Sequence, residues 1–110
     1  MGFQTGGALL DFIVLGILQN GDEYGYILTQ QVREMLDVSE TAMYPALRRL
    51  QKGHLLTTYD RSCQGRNRRY YQLTAEGRKA LNAYVTEWEQ FKRSMDQILG
   101  GNRHDDSAVL

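Results

Sequence analysis

The chain has 110 residues, of which 42 % are hydrophobic, and its formal net charge is zero. This length suits a single domain, and the hydrophobic fraction lies far above the range of disordered chains. The lone Cys63 excludes a scaffold of intramolecular disulfides, and the longest apolar stretch, residues 8–18, is shorter than the roughly 20 residues that a membrane span needs. We therefore expect a small cytoplasmic domain with no membrane partner.

The charges are unevenly distributed along the chain. Residues 1–43 hold one basic and six acidic side chains, and residues 81–110 hold three basic and five acidic ones. Residues 44–80, by contrast, hold nine basic and two acidic side chains, a local balance of +7. A concentrated basic segment is typical of a surface that binds nucleic-acid phosphates.

Hydrophobic spacing predicts three helices in the first half of the chain. The first, over residues 8–19, is apolar on nearly every face, so we expect a second subunit to cover part of it. The second should span residues 24–36. Ser39 is a good N-cap for the third helix, which should end at Gly53. Pro45 lies beyond the first turn of this helix and removes a backbone hydrogen bond, so local rules predict a kink.

A hairpin and a long helix are predicted for the second half. Residues 54–60 and 68–74 are rich in Leu, Thr and Tyr and are predicted as strands joined by the polar loop 61–67. Thr74 should cap the final helix. The apolar residues of that helix recur at alternating spacings of three and four, a heptad seam that requires a partner helix. We assign to this seam a homodimer interface comprising Leu81, Tyr84, Trp88, Phe91, Met95 and Ile98.

This order of elements is that of a winged helix-turn-helix followed by a dimerisation helix. In such proteins the later helix of the helix-turn-helix enters the major groove, and the basic hairpin forms the wing, which reaches phosphates or the minor groove. We therefore predict a mainly α fold with a small β-hairpin. It should comprise a DNA-binding domain over residues 1–74, a dimerisation helix over 75–101 and a flexible tail over 102–110.

The third helix carries the first set of candidate DNA-binding residues. Tyr44 and Arg48 share one helix face, and arginine to guanine is the commonest specific base contact. Arg49 is a further candidate, with a solvated helix face as the alternative. Ser39 and Thr41 either donate to a phosphate at the helix N-terminus or simply cap the helix.

The hairpin carries the second set of candidate DNA-binding residues. Neighbouring strand residues such as Arg68 and Arg69 point to opposite faces, so they cannot both reach the same phosphate. We favour Arg66 and Arg68 for DNA. Cys63 lies near these arginines, which favour a reactive thiolate, although an inert exposed cysteine is the simpler interpretation.

A candidate ligand site lies at the expected dimer axis. Trp88, Phe91, Phe12 and Ala8 either line a flat apolar pocket or simply form the dimer core. Asp11 is the one charged residue in the otherwise apolar first helix. It either attracts a cationic ligand or is solvated at the pocket mouth.

The sequence predicts neither a metal site nor catalysis. His54 and His104 have no Cys or carboxylate at metal-ligand spacing. Glycine-rich phosphate loops, nucleophile–base pairs and paired carboxylates do not stand out either. We therefore expect no enzymatic activity and no cofactor.

Three segments resemble the PadR family of transcriptional regulators. They are residues 24–27 (YGYI), 41–50 (TAMYPALRRL) and 65–77 (GRNRRYYQLTAEG). The resemblance extends over roughly residues 8–90, and the second and third segments are specific in combination. It implies that Pro45 is tolerated within the recognition helix.

The short chain with one C-terminal helix is similar to a compact PadR subgroup that includes a lactococcal multidrug-binding regulator. This resemblance implies a homodimeric bacterial repressor. It also implies a site for flat aromatic compounds between the subunits, beside a tryptophan for which Trp88 is the match. Two positions depart from the family pattern, since Tyr24 stands where histidine is frequent and Asn67 where a small or basic residue is common.

We therefore predict a homodimeric repressor that binds double-stranded DNA at a pseudo-palindromic operator. A small aromatic or apolar effector at the dimer interface should relieve this binding. The alternative is a winged-helix protein-interaction module without specific DNA binding. Such a module would have little reason to keep the basic segment over residues 44–80.

Overall fold

The structure, a computed structural model, describes residues 7–100. Four helices surround one face of a small antiparallel sheet with strand order β1-β3-β2. The elements in chain order are α1 (Ala8–Leu18), β1 (Glu23–Tyr24), α2 (Gly25–Met35), α3 (Glu40–Lys52), β2 (Leu56–Cys63), β3 (Arg66–Leu73) and α4 (Ala75–Ile98). The predicted mainly α winged-helix arrangement is confirmed, with the addition of the short strand β1.

The predicted helix caps are also confirmed. Ser39 Oγ accepts a hydrogen bond from the backbone N–H of Ala42 at 3.3 Å, and Thr74 Oγ1 accepts one from Gly77 at 2.9 Å. Helix α3 continues through Pro45 without interruption, so the proline does not end the helix, and the kink stays a prediction. The carbonyl that lacks its usual donor belongs to an exposed residue four positions earlier, where water can bind it.

The hairpin is longer and its turn tighter than the sequence predicts. β2 and β3 pair continuously from Leu56 opposite Leu73 to Cys63 opposite Arg66, so most of the predicted loop lies in the strands. Only Gln64 and Gly65 form the turn, with φ values of 52° and 77°. Positive φ at both central positions is typical of the type I′ turn, whose twist matches that of the two strands. The sequence does not predict the parts of β2 and β3 next to the turn, because both faces of the hairpin are polar there. Such segments show no alternation of hydrophobic and polar residues.

The hydrophobic core lies between the three N-terminal helices, the inner face of the sheet and the first turns of α4. Leu81, which the sequence analysis placed on the dimer seam, is only 1 % exposed in the single chain and belongs to this core. The structure therefore removes Leu81 from the exposed part of the seam. The other buried core residues are Val14, Leu15, Leu18, Leu28, Val32, Met43, Leu47, Leu50, Leu56, Tyr71 and Leu73.

Two apolar surfaces remain outside this core. Helix α1 buries one face, but Leu9 is 40 % exposed and Phe12, Ile13 and Ile17 are only partly buried. From residue 85 onward, α4 contains no buried residue, and Ile98 near its end is 74 % exposed. Monomeric proteins rarely leave extended apolar patches uncovered, so both surfaces are suited to a partner.

Within residues 7–100, no helix combines the length and hydrophobicity that crossing a bilayer requires. The predicted tail over residues 102–110 lies outside the described range.

Candidate nucleic-acid interface

A groove of about 520 Å³ separates the hairpin from helices α2 and α3. Beside it, β1 pairs only with Tyr70 and Tyr71, which leaves the rest of that β3 edge without a strand partner. We call this cavity the wing groove. The lining residues used below are Tyr24, Tyr26, Tyr44, Arg68, Arg69 and Tyr71.

Helix α3 contributes the predicted base-reading residues to this side of the molecule. Tyr44 lines the wing groove and is 63 % exposed, an unusual position for a large aromatic side chain. Burial raises the pKa of the Tyr71 phenol, while the nearby charges of Arg69 and Arg48 lower it. Because both charges act on the same phenol, Arg48 on α3 and Arg69 on the wing both lie near Tyr71. The structure thus brings Tyr44 and Arg48 together with the wing.

Ser39 and Thr41 lie at the N-terminus of α3, and both are exposed. Their hydroxyl groups are hydrogen-bonded to each other at 2.7 Å, in addition to the capping bond that Ser39 accepts. The capping interpretation is therefore confirmed for Ser39, whereas the bond shown for Thr41 is to the Ser39 hydroxyl. Contact of either residue with a phosphate stays a prediction.

Arg49 has a partner in helix α1. Its Nη2 donates to Asp11 Oδ1 at 2.6 Å and its Nε donates to Asp11 Oδ2 at 3.4 Å. This hydrogen bonding raises the pKa of Arg49. Asp11, expected to face a ligand or solvent, is thus a buried ion-pair partner whose side chain is 13 % exposed.

The wing places Arg68 and Arg69 around the same groove, although they leave β3 on opposite faces. The Cζ atom of Arg68 lies 4.6 Å from the centre of the Tyr24 ring, so this side chain folds around the open edge of β3. Arg69 Nε lies 3.6 Å from Asp60 Oδ1. Arg66 is exposed beside the turn, directly opposite the half-buried Cys63.

Three groove residues were missed by the sequence analysis. Strand alternation places Arg69 and Arg68 on opposite faces of β3, so the sequence favours Arg68 alone of the two. Tyr24 and Tyr26 were noticed only as part of a family motif. The available signal was local, since two tyrosines flank Gly25 where α2 begins, and Tyr26 is 59 % exposed.

The second candidate site is a ridge of aromatic side chains on α1 and α4. Phe12 stacks on Tyr84 with ring centres 5.4 Å apart, and Trp88 lies 6.3 Å from Phe91 one turn further along. Trp88 is 38 % exposed, whereas Ala8 is 4 % exposed and lies inside the chain's own core. The ridge therefore contains four of the predicted interface or ligand residues, whereas Ala8 and Asp11 are buried within the single chain.

A metal centre is not formed by the part of the chain that the structure describes. No three His, Cys, Asp or Glu side chains from residues 7–100 come close enough to hold an ion. His104 lies outside that range.

Comparison with known proteins identifies the family. The profile of the transcriptional regulator PadR-like family matches residues 14–83, well over half of the chain. The chain belongs to this family. Its fold and the three sequence segments that resemble PadR proteins are thereby accounted for.

Individual PadR-like relatives agree with this assignment. Transcriptional regulator Rv3488 of Mycobacterium tuberculosis is 36 % identical over 86 residues, which cover 77 % of this chain and 78 % of that protein. The crystal structure of a PadR family transcription regulator from Clostridium difficile is also 36 % identical. It superposes with a TM-score of 0.77 over 86 % of this chain and 99 % of that chain.

A structure with lower sequence identity to this chain contains bound DNA. Bacillus subtilis PadR in complex with operator DNA shares the fold, with a TM-score of 0.63. The two chains are 24 % identical, and the match covers 70 % of this chain and 46 % of that one.

Proposed function

We propose that this PadR-like protein is a homodimeric repressor that binds double-stranded operator DNA through α3 and the wing. The observation that carries the proposal is the wing groove, where exposed Tyr44 of α3 faces Arg68 and Arg69 of the hairpin. A helix side chain able to contact bases and wing cations able to contact phosphates thus lie on one surface. The operator DNA bound to Bacillus subtilis PadR supports the choice of ligand.

The division of labour follows from side-chain chemistry. Tyr44 and Arg48 on the exposed face of α3 would enter the major groove, where arginine can donate two hydrogen bonds to guanine. The wing arginines would bind phosphates, which fixes the register without reading the sequence. Ser39 and Thr41 would meet the backbone at the N-terminus of α3, where the helix dipole favours an anion.

Dimerisation through α1 and α4 would supply the second recognition helix. The exposed seam on α4 consists of Tyr84, Trp88, Phe91, Met95 and Ile98, and its apolar spacing suits an antiparallel or parallel partner helix. The partly buried face of α1 lies beside it through the Phe12–Tyr84 stack. Two copies would then present two α3 helices to half-sites about 34 Å apart.

The aromatic ridge suggests how operator binding is relieved. Phe12, Trp88 and Phe91 form an apolar surface where a flat aromatic molecule could lie between two subunits. A molecule that binds one separation of the subunits more tightly shifts the dimer toward that separation. If that separation does not match the half-sites, the affinity for the operator falls.

The proposal is tested by fluorescence anisotropy with the DNA upstream of the protein's own gene and a scrambled duplex of equal length. Specific binding predicts a tighter complex with the upstream DNA and a steep loss of affinity with added salt. Aromatic compounds should then weaken the complex and change the fluorescence of Trp88. Weak and equal binding to both duplexes would contradict the proposal and favour a protein-interaction module.

A further inference from the structure

The outer face of the sheet carries a row of three neighbouring tyrosine rings. Tyr59 and Tyr70 are cross-strand partners whose rings lie 5.5 Å apart at an angle of 10°. Tyr24, the partner of Tyr70 on the other side, has its ring centre 5.7 Å from that of Tyr70. We call these three residues the tyrosine ladder. It lies on the solvent side, since the next residue of β3, Tyr71, points into the core.

Two arginines lie on this ladder. The Cζ atom of Arg61 is 5.0 Å from the centre of the Tyr70 ring and 5.9 Å from that of Tyr59. The Cζ atom of Arg68 is 4.6 Å from the centre of the Tyr24 ring. Arg61 and Arg68 are direct cross-strand partners, an arrangement in which like charges repel. Because each guanidinium leans onto a different ring, the ladder holds the two charges apart.

The ladder holds these arginines without neutralising them. Within residues 7–100, Arg49 and Arg69 are ion-paired with carboxylates, whereas Arg61 and Arg68 are not. A guanidinium on a ring face keeps its full charge and can direct its planar set of N–H donors toward a phosphate. Arg61 and Arg68 are therefore wing cations that carry no carboxylate partner among the described residues and whose positions the tyrosines restrict.

The ladder is itself anchored. The Tyr59 hydroxyl donates a hydrogen bond of 2.6 Å to Asp22 Oδ2, and Gln72 Nε2 donates to the same oxygen at 3.3 Å. Asp22 immediately precedes β1, so these bonds tie both wing strands to the segment that carries Tyr24. The rings that support the arginines are thus fixed relative to α2 and the wing groove.

We infer that Arg61 and Arg68 bind the DNA backbone and that Tyr24 and Tyr70 are positioning residues for them. Arg61 is a contact that the sequence analysis did not select. The inference rests on the proposed function, since it specifies how the wing meets DNA. Restricting a long side chain before binding lowers the entropy cost of the contact, so each ring should contribute about two- to tenfold in affinity.

The test measures DNA affinity against salt for the wild-type protein and for Arg61→Gln and Arg68→Gln. A random-sequence duplex and the upstream duplex are compared, since phosphate contacts do not depend on sequence. Each substitution should reduce the slope of log affinity against log salt by about 0.9 and weaken binding about five- to tenfold at roughly 0.1 M salt on both duplexes. Arg93→Gln, an exposed arginine on α4, is the matched control and should leave the slope unchanged.

A double-mutant cycle separates positioning from general stabilisation of the fold. Tyr70→Leu should weaken binding in the wild-type background and have no further effect in the Arg61→Gln background. Tyr70→Phe keeps the ring face and should retain wild-type affinity. If Tyr70→Leu fails to fold by circular dichroism, the cycle of Tyr24→Leu with Arg68→Gln makes the same test on the edge strand.

The outcomes distinguish this inference from the proposed function. If the wild-type protein binds neither duplex, the proposed function fails and the inference fails with it. If the wild-type protein binds but the two arginine substitutions leave the salt slope unchanged, the inference is overturned while the proposed function stands. If the arginine substitutions weaken binding but the tyrosine and arginine effects are additive, the positioning role is overturned.

Discussion

The carboxylate of Asp11 on α1 and the guanidinium of Arg49 on α3 form a two-point ion pair. Nη2 lies 2.6 Å from Oδ1 and Nε lies 3.4 Å from Oδ2, a geometry that fixes orientation as well as distance. The Asp11 side chain is 13 % exposed and that of Arg49 is 51 % exposed, so the guanidinium covers a carboxylate that is mostly withdrawn from water. The pair joins the helix that we propose for dimerisation to the helix that we propose for DNA contact.

Removing the charge of Asp11 should destabilise the fold. Asp11→Asn keeps the side-chain shape but leaves Arg49 without its counter-charge, and we expect the free energy of unfolding to fall by about 1–2 kcal/mol, between the values for exposed and buried pairs. Urea unfolding measures the loss. Asp37→Asn, at an exposed position, is the control and should change stability by less than about 0.5 kcal/mol. Equal effects of the two substitutions would show that the ion pair contributes nothing.

Arg48 and Arg49 are adjacent on α3 but should behave differently. Arg48→Ala should lower the affinity for operator DNA by about 1–3 kcal/mol if Arg48 reads a base, with little change in stability. Arg49→Ala should lower stability and have the smaller effect on DNA binding, because its guanidinium is occupied by Asp11. Anisotropy and urea unfolding of both variants decide this. Equal losses for Arg48→Ala on operator and random DNA would make Arg48 a phosphate contact.

The fold could be predicted where its causes are local. Apolar spacing and the cap Ser39 predict both ends of α1, α2 and α3 to within a residue or two, and the cap Thr74 predicts the start of α4. This works because capping and periodicity act within one or two helical turns. The hairpin was predicted too short, since its outer half is polar on both faces. β1 was missed because two residues cannot display a period.

The candidate site could be predicted only in part, because some of its contacts join residues that are far apart in the sequence. Tyr44 and Arg48 were found because positions four apart share a helix face. The pairing of Asp11 with Arg49 spans 38 residues of sequence, and the contact of Arg68 with Tyr24 depends on how β1 pairs with β3. Contacts of this kind are set by tertiary packing, which the spacing of residues within one element does not encode.

Gly77 and Gly16 offer a matched pair of glycine substitutions within helices. A Cβ atom at Gly77 would collide with the backbone carbonyl oxygen of Leu55 and lie 2.7 Å from Leu73 Cδ1, whereas one at Gly16 would meet no atom within 4 Å. We expect Gly77→Ala to destabilise the protein by about 1–3 kcal/mol through overpacking. Gly16→Ala should stabilise it by about 0.5–1 kcal/mol, because alanine loses less backbone entropy in a helix. Thermal and urea unfolding test both signs, and a neutral Gly77→Ala would contradict the close packing of α4 on the sheet.

Alkaline pH should weaken the bond between Tyr59 and Asp22. Hydrogen bonding to the carboxylate raises the pKa of Tyr59 above its ordinary value of 10.0, so the neutral phenol is the form that the fold favours. The stabilisation is therefore fully present below pH 10.0 and is lost as the pH rises through the higher pKa of the folded state. The stability difference between the wild type and Tyr59→Phe should be constant near neutral pH and shrink above pH 10.0. In an Asp22→Asn background that pH dependence should become smaller, because the hydrogen bond to Asp22 is the largest cause of the raised pKa. A difference that persists unchanged at alkaline pH would show that Tyr59 does not donate to Asp22.

Trp88 should matter for assembly and not for the folding of the winged helix. It lies two turns beyond Leu81, the last buried residue of α4, and is 38 % exposed in the single chain. Trp88→Ala should weaken the dimer by about 1–3 kcal/mol, the range of a substantial aromatic contact at an interface, while the circular dichroism spectrum stays that of the wild type. Sedimentation equilibrium measures the association constant, with Gln90→Ala on the same helix as the control. An unchanged association constant together with an unchanged response of DNA binding to aromatic compounds would exclude Trp88 from both the dimer interface and the effector site.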